Sequence, residues 1–485
     1  MRFKRVILIS PYYSNSIFTM PVLPVGLGYI SENLRKNRID YRIVDLTLGH
    51  RSNFLRKQIY DFRPDLIGFS MMSFMYKDVY KTIVQIKREF PNIKIVVGGP
   101  HLSSLREAVL KECQDIDFGV LQEGEETMVE LCLGTEVENI KGLLYRENGA
   151  IRFNGPRETL WNLDTLNFPT YERFELDKYG FGISIVSSRG CPYKCIFCAA
   201  SSIRKEYRVR SPKNIVEEID YWYKRGYREF DLQEDNPTFH RERAFELCDE
   251  IQKMGYKDLV IMCGNGVRAD RVDKKLLARM KEVGFKRLAF GVEAGNNKVL
   301  TSLKKGEKIE VIKEAIQNAC ELGFFVSIFF VVGSPTETIR DVQDSIDIAL
   351  KYPISNVSFY NLIPLPGTEL FDWVEKNNYF IIRPEIYLNK GGRMQMGIVP
   401  VFATPEFSAG ERKAALKKVK RIERYIKRRV IENKLPKVYP LNKLIAWVYT
   451  LNLVRYIEEQ LIHYEIFRKT IGLVRNRIRL LFYKI

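Results

Sequence analysis

Alternation of strand-like and helix-like segments is the feature that most constrains the fold of this 485-residue chain. Short apolar runs alternate with amphipathic segments over residues 1–138, and the same alternation returns from residue 181 to about 362. Parallel strands need a crossover between them, usually a helix that covers one face of the sheet. The length allows two or three domains. We therefore predict two successive α/β domains.

The first alternation predicts a doubly wound parallel sheet over residues 1–138. Its predicted strands are 6–9, 41–45, 66–70, 93–97 and 116–120, with helices such as 27–36 and 79–90 between them. Such sheets bind ligands at the carboxyl ends of their strands. Glycines in these loops let the backbone approach a ligand closely. The candidate binding residues in these loops are Ser70, Gly98, Gly99, His101, Glu123 and Gly124.

Residues 139–180 are predicted to form a hairpin and a linker. The hairpin covers residues 142–153 and turns at Asn148 and Gly149, a pair typical of tight hairpin turns.

The second alternation then predicts six strands, at 183–186, 229–232, 259–263, 287–290, 326–331 and 356–360. Six strand–helix units suit a partial (β/α)6 barrel over residues 181–385, with its site at the carboxyl ends of the strands.

Three cysteines follow the first predicted barrel strand. Cys191, Cys195 and Cys198 have the spacing C-x3-C-x2-C. Thiolates this close can hold one iron–sulfur cluster, and three of them leave one iron of a [4Fe–4S] cubane without a protein ligand. An open coordination position is where a metal site performs chemistry. The alternative is three core cysteines that lie together by chance.

The remaining cysteines are too few and too scattered for a disulfide scaffold. They lie in apolar patterns and are predicted to be buried thiols: Cys113, Cys132, Cys248, Cys263 and Cys320. An iron–sulfur site and the absence of a signal peptide favour a reducing cytoplasm.

The cysteine run and several stretches around it resemble the cobalamin-binding-domain class of the radical S-adenosylmethionine (SAM) superfamily. This class includes anaerobic magnesium-protoporphyrin cyclase and methylases of unactivated carbons. The resemblance covers residues 1 to about 370 and is carried, besides the cysteines, by residues 98–101, 123–127, 291–296, 332–338 and 364–368. It implies a [4Fe–4S] cluster on the three cysteines that cleaves SAM reductively to a 5′-deoxyadenosyl radical. It also implies an electron donor such as flavodoxin or ferredoxin.

The resemblance implies SAM contacts throughout the barrel. Phe197 is expected to pack on the adenine, and an arginine can grip the SAM carboxylate with two hydrogen bonds. For the polar members the alternative is an ordinary turn or loop role. The residues implied are Phe197, Glu234, Asp235, Asn265, Arg268, Glu293, Val331 and Gly333.

The resemblance implies cobalamin at the strand ends of the first domain, on the six candidate residues given above. Many cobalamin domains carry Asp-x-His-x-x-Gly, whose histidine binds cobalt from below, and this chain lacks that motif. The loop after the first strand, residues 11–14, offers no imidazole. We expect His101 near the cobalamin tail and not at cobalt. The alternative is a vestigial domain that binds nothing.

Basic charge is concentrated at the C-terminus. The net charge is +18, and residues 405–485 carry 20 Lys and Arg against 7 Asp and Glu, an excess of 13. We predict a helical basic region over residues 386–485, with amphipathic helices at 411–432 and 471–483 and a segment rich in Leu, Ile and Tyr, with Trp447, at 445–467. It either packs on the barrel or attaches to an anionic membrane surface, which would make the cytoplasmic protein peripheral at the inner face of a membrane. Nucleic acid is disfavoured because no RNA-binding module is visible.

The predicted function is methylation of an unactivated carbon in a hydrophobic or lipid-like small molecule, with cobalamin as methyl carrier. A first alternative is a radical SAM cyclase, oxidoreductase or carbon–carbon bond-forming enzyme that uses cobalamin differently or not at all. A second is a non-catalytic peripheral membrane or RNA-binding protein. No motif identifies the substrate.

Overall fold

Two sheets organise the protein, one in each predicted α/β domain. The computed structural model describes residues 1–11, 21–50, 53–180, 182–203, 206–234, 236–390 and 397–434, together with positions 443 and 447. The central strands of both sheets are buried on both faces, as expected where helices cover a parallel sheet on each side.

The first sheet has seven strands in the order β2-β1-β3-β4-β5-β6-β7. The first five are parallel, and the hairpin β6–β7 pairs antiparallel to β5, so it extends this sheet. Asn148 and Gly149 both have positive φ, 47° and 82°, as the tight hairpin turn requires. The strands are β1 Arg5–Ser10, β2 Asp40–Asp45, β3 Leu66–Ser70, β4 Lys94–Gly98, β5 Phe118–Val120, β6 Leu143–Glu147 and β7 Ala150–Phe153.

The structure describes six helices beside the first sheet. The helix Tyr76–Glu89, for example, has its buried residues Val79, Ile83 and Ile86 at helical spacing and so presents an apolar stripe to the core. The helices are α1 Val25–Lys36, α2 Phe54–Phe62, α3 Tyr76–Glu89, α4 Pro100–Leu105, α5 Glu107–Glu112 and α6 Glu125–Leu133.

The second sheet has six parallel strands in the order β8-β11-β12-β13-β14-β15, which confirms the predicted (β/α)6 architecture. A separate two-stranded ribbon, β9 with β10, lies beside the cysteine run. The strands are β8 Ile183–Ile185, β9 Ser188–Arg189, β10 Arg208–Val209, β11 Glu229–Leu232, β12 Val260–Val267, β13 Phe285–Glu293, β14 Phe325–Val332 and β15 Asn356–Asn361.

Within residues 182–434, as far as the structure describes them, ten helices belong to the barrel and its C-terminal extension. Strands β12 and β13 run further than predicted, so Asn265 lies within β12 and not in the loop after it. The helices are α7 Ala199–Ile203, α8 Pro212–Tyr223, α9 Arg241–Lys253, α10 Lys274–Glu282, α11 Asn297–Ser302, α12 Ile309–Glu321, α13 Ile339–Lys351, α14 Glu369–Lys376, α15 Pro384–Tyr387 and α16 Ala409–Lys434.

Helix α16 confirms the basic helix predicted at 411–432 and packs on the barrel. Its residues Leu416, Val419 and Ile426 are fully buried, and the helix contacts α13, β14 and β15. The backbone N–H of Phe359, in β15, donates to the Glu423 carboxylate at 2.6 Å. The first helix of the predicted C-terminal region therefore packs against the barrel, which is one of the two alternatives left open by the sequence. Residues 445–467, apart from 447, and 471–483 lie outside the described residues.

The described helices include none that is long and apolar enough to cross a bilayer.

Candidate active site

The cysteine loop, residues 190–198, lies between the β9–β10 ribbon and α7 and is anchored on both sides. The backbone N–H of Ile196 donates to the carbonyl of Leu303 at 3.1 Å, and its carbonyl accepts from the N–H of Leu370 at 2.9 Å. Within the loop, the Cys198 N–H donates to the Cys195 carbonyl at 3.1 Å. All three cysteines are half-buried, whereas Cys113, Cys132, Cys248 and Cys263 are buried as predicted, and Cys320 is half-buried.

The donor set of this loop fits an iron–sulfur cluster. In the part of the chain that the structure describes, no three His, Cys, Asp or Glu side chains form a group that could hold one metal ion. A cubane does not require such a group, because each thiolate binds a different iron of the cluster. Burial raises the pKa of Cys195 to about 11, and the positive charge of Lys305 opposes that rise. Cluster assembly must therefore replace the thiol proton with iron.

A compact group of charged side chains lies beside the cysteine loop. The Lys305 ammonium is 3.2 Å from Glu293 Oε1 and 3.5 Å from Glu307 Oε2. Arg268 Nη1 is 3.8 Å from Glu307 Oε2, and its guanidinium lies 3.4 Å from the ring centroid of Tyr193, in the cysteine loop. Arg268, Glu293, Lys305 and Glu307 are all buried. Arg268 also binds the carboxylate of Asp270. We call these five residues the charged platform.

Two predicted SAM contacts, Arg268 and Glu293, belong to this platform. The Arg268 guanidinium already binds both carboxylate oxygens of Asp270 at 3.0 Å and the carbonyl of Lys305 at 2.9 Å. Glu293 ends β13 with φ 66°, a conformation that a residue other than glycine seldom adopts. Such strain at a strand end is typical of functional positions.

The other polar SAM predictions have different surroundings. Glu234 is buried and accepts hydrogen bonds from the hydroxyls of Ser187 and Ser188, just before the cysteine loop. The Asn265 side chain is exposed, with Nδ2 3.4 Å from Gln233 Oε1. Asp235 lies outside the described residues. Of the apolar predictions, Phe197 is partly buried against the core.

Val331 lies near the end of β14 and Gly333 directly follows the strand. Gly333 has φ 109°, and its N–H donates to the carboxylate of Glu337 at 2.6 Å. A Cβ at Gly333 would lie 2.6 Å from Nη1 of Arg412, which enters from α16. Sequence reasoning missed Arg412, which is buried between the rings of Phe402 and Phe407. Nothing in the sequence distinguishes Arg412 from the other basic residues of its helix.

The first domain has a cleft at the carboxyl ends of β1, β3, β4 and β5. Five of the six residues predicted to bind cobalamin line it: Ser70, Gly98, Gly99, Glu123 and Gly124. His101 does not line it. Its ring is fully buried, stacks on Tyr76 at 4.7 Å and has Nδ1 3.0 Å from Ser73 Oγ. Burial lowers the pKa of His101 to about 4.

The cleft fits a broad ring with apolar faces and polar edges. Five glycines line it, so much of its wall is backbone, and most of the other lining residues are apolar, among them Leu27, Ile30 and Phe69. A Cβ at Gly26 would meet nothing within 4 Å, whereas one at Gly99 would lie 2.8 Å from the Met71 carbonyl oxygen. Gly99 therefore has no room for a side chain, whereas Gly26 leaves open space at the cleft.

Buried ion pairs join the cleft to the cysteine loop. Arg189, in β9, lies 2.6 Å from Glu125 and 3.2 Å from Glu123, both of which line the cleft. Arg208, in β10, also binds Glu123 and donates to the carbonyl of Leu160 at 2.8 Å. Sequence reasoning missed both arginines, because their carboxylate partners lie more than 60 residues away.

Comparisons with known proteins agree with this geometry. A family model described as radical SAM superfamily matches residues 185–349, and one described as B12 binding domain matches residues 18–132. An uncharacterized methyltransferase of Pyrococcus horikoshii is 30% identical over 410 residues, which cover 81% of this chain and 86% of the relative. The chain belongs to the cobalamin-dependent radical SAM enzymes. Its cofactors are a [4Fe–4S] cluster, SAM and cobalamin.

Two further proteins are similar to this radical SAM enzyme in sequence or in fold. The anaerobic magnesium-protoporphyrin IX monomethyl ester cyclase of Cereibacter sphaeroides is 28% identical over 379 residues, covering 73% of this chain but only 61% of the cyclase. The solved structure of the radical SAM methyltransferase TsrM from Kitasatospora setae, with cobalamin and a [4Fe–4S] cluster, superposes with a TM-score of 0.70 at 17% identity. That match covers 96% of this chain and 99% of TsrM, and it shows the shared fold.

Proposed function

We propose that this enzyme transfers a methyl group to an unactivated carbon of a small-molecule substrate. The observation that carries the proposal is the junction of two strand-end sites, the first-domain cleft and the cysteine loop, through Arg189. When bound, the cluster supplies the electron that cleaves SAM, and cobalamin supplies the methyl carrier. The protein binds and orients these groups and excludes water from them.

The side chains have separate roles in this proposal. Cys191, Cys195 and Cys198 hold the cluster, and the first-domain cleft holds cobalamin. Glu293 and Arg268 belong to the charged platform beside the cysteine loop, where charged groups can orient the polar ends of SAM. We assign the remaining SAM contacts as the family resemblance implies, to Phe197, Glu234, Asp235, Asn265, Val331 and Gly333.

We further propose that the substrate is hydrophobic and reaches the enzyme at an anionic membrane surface. Support comes from the outer face of α16, where Lys413, Lys417 and Arg421 are exposed at helical spacing beside Tyr425, which is 55% exposed. A basic face with an amphipathic aromatic ring suits a lipid headgroup layer. A flavodoxin or ferredoxin would deliver the electron in the cytoplasm.

Product analysis tests the methyl transfer. The enzyme, reconstituted without oxygen with iron, sulfide and hydroxocobalamin, is incubated with a reductant, methyl-deuterated SAM and a lipid extract. We expect S-adenosylhomocysteine and 5′-deoxyadenosine in equal amounts and a deuterated methyl group in one lipid. The Cys198→Ala variant should give no 5′-deoxyadenosine. A parallel incubation uses a polar metabolite extract, and labelled product found there but not in the lipid extract would overturn the hydrophobic substrate and keep methyl transfer.

The second candidate function is an oxidative or cyclising reaction on the substrate radical. The similarity to the magnesium-protoporphyrin cyclase favours it. In that case 5′-deoxyadenosine would form without S-adenosylhomocysteine, and no deuterium would reach the substrate. The same assay therefore separates the two candidates.

A further inference from the structure

We propose that Lys305 supplies the counter-charge that raises the reduction potential of the cluster. This inference rests on the proposed assignment of the cluster to Cys191, Cys195 and Cys198. In this proposal Lys305 acts through its positive charge and does not contact the reacting atoms.

Lys305 has an unusual position for a lysine. It is only 8% exposed, whereas lysines are almost never fully buried unless paired. Its ammonium lies between two carboxylates, Glu293 at 3.2 Å and Glu307 at 3.5 Å. Its backbone carbonyl accepts a hydrogen bond from Arg268, which fixes the turn that carries the side chain. The site is therefore built around a buried charge.

The turn that carries Lys305 is attached to the cysteine loop. Ile196, between Cys195 and Cys198, donates its N–H to the carbonyl of Leu303, two residues before Lys305. Arg268, which donates to the Lys305 carbonyl at 2.9 Å, also lies 3.4 Å from the ring centroid of Tyr193 in the same loop. Adjacent Lys304 faces outward instead, with its ammonium 2.6 and 2.8 Å from the Glu369 carboxylate oxygens.

Electrostatics fixes the sign of the effect. Reduction adds one negative charge to the cluster, so a nearby positive charge stabilises the reduced form and raises the potential. The effect is strong in a buried site because the local dielectric constant is low. The platform holds two cations and three carboxylates, so loss of the Lys305 charge makes it more negative by one charge. Loss of the Glu307 charge makes it more positive by one charge.

Four variants test the proposal on the full-length protein: Lys305→Met, Lys305→Arg, Glu307→Gln and, as a matched control, Lys304→Met. Gln at position 307 keeps an oxygen that can accept from the Asp270 N–H, as Glu307 does at 3.2 Å. Each protein is reconstituted with iron and sulfide, and the midpoint potential is measured by an EPR-monitored redox titration without SAM. We expect a more negative potential for K305M and a more positive one for E307Q. K305R and K304M should stay at the wild-type value.

The outcomes separate this proposal from the cluster assignment. An unchanged K305M potential, or shifts of K305M and E307Q in the same direction, would overturn the role of Lys305. If K305M binds no iron, the midpoint potential of E307Q alone tests the proposal. An unchanged potential in E307Q would contradict it. A wild-type protein without a cluster signal would instead defeat the assignment to the three cysteines.

Discussion

Arg189 donates a hydrogen bond to the Glu125 carboxylate at 2.6 Å, and this pair joins the two α/β domains. Arg189 lies two residues before Cys191, and Glu125 begins α6 at the rim of the first-domain cleft. The guanidinium also lies 4.9 Å from the ring centroid of Tyr29. The cysteine loop and the cleft are thus held together by a charge pair buried on both sides.

We expect the Arg189→Met substitution to destabilise the protein strongly. It leaves Glu125 buried without its partner, and breaking a buried ion pair from one side costs about 3–5 kcal/mol. The E125Q/R189M double variant should recover part of that loss, as a double-mutant cycle by chemical denaturation can show. The control is Arg56→Met, which removes an exposed pair with Glu89 worth less than about 1 kcal/mol. Equal losses at positions 189 and 56 would contradict the account.

Gly99 is expected to tolerate no side chain. Its φ of 100° and the Met71 backbone, 2.8 Å from where a Cβ would lie, both oppose alanine. Gly99→Ala should therefore lower the free energy of unfolding by more than about 1 kcal/mol and distort the cleft. Gly26→Ala, in the same cleft with open space around its Cβ, should unfold like the wild type. Thermal unfolding of the two variants checks this, and similar melting temperatures would refute it.

The buried carboxyl of Glu337 should make stability depend on pH. Burial raises its pKa from 4.5 to about 7, against the hydrogen bonds from Gly333 and Ser334 and the charge of Arg412. The folded state therefore holds the proton more tightly than the unfolded chain. That stabilisation is present below about pH 4.5 and is lost, by about 3 kcal/mol, as the pH rises through about 7.

The Glu337→Gln variant isolates this effect, because glutamine does not titrate and can still accept from the Gly333 and Ser334 N–H groups. The difference in melting temperature between wild type and E337Q should change across this pH range. A constant difference would show that the Glu337 pKa is not raised.

The sequence predicted the architecture well because periodicity is a local property. Strand–helix alternation predicted both sheets, and the Asn148-Gly149 pair predicted the hairpin turn. The end of β12 was missed because Gly264-Asn265-Gly266 is neither apolar nor β-branched, and only pairing with β13 extends the strand there. The packing of α16 was left open, since one apolar stripe suits either a barrel or a membrane.

The candidate site was only partly predictable. Parallel strands bring their carboxyl ends to one edge of a sheet, so Ser70, Gly98 and Gly124 were predicted to lie at one site. All three line the cleft. Burial of the His101 ring could not be read locally, since its partner Tyr76 lies in another element. Lys305 was missed for the same reason, because its environment is made by residues of β13 and of the cysteine loop.

Cobalamin content is the most direct test of the central claim. The protein is reconstituted without oxygen with iron, sulfide and hydroxocobalamin, desalted, and its bound corrinoid is read by absorbance. We expect about one cobalamin per wild-type chain. We expect little in Gly26→Phe, where a ring occupies open space at the cleft, and wild-type content in the control Gly410→Phe, at an open position on α16. An intact cluster without bound cobalamin in the wild type would contradict the account.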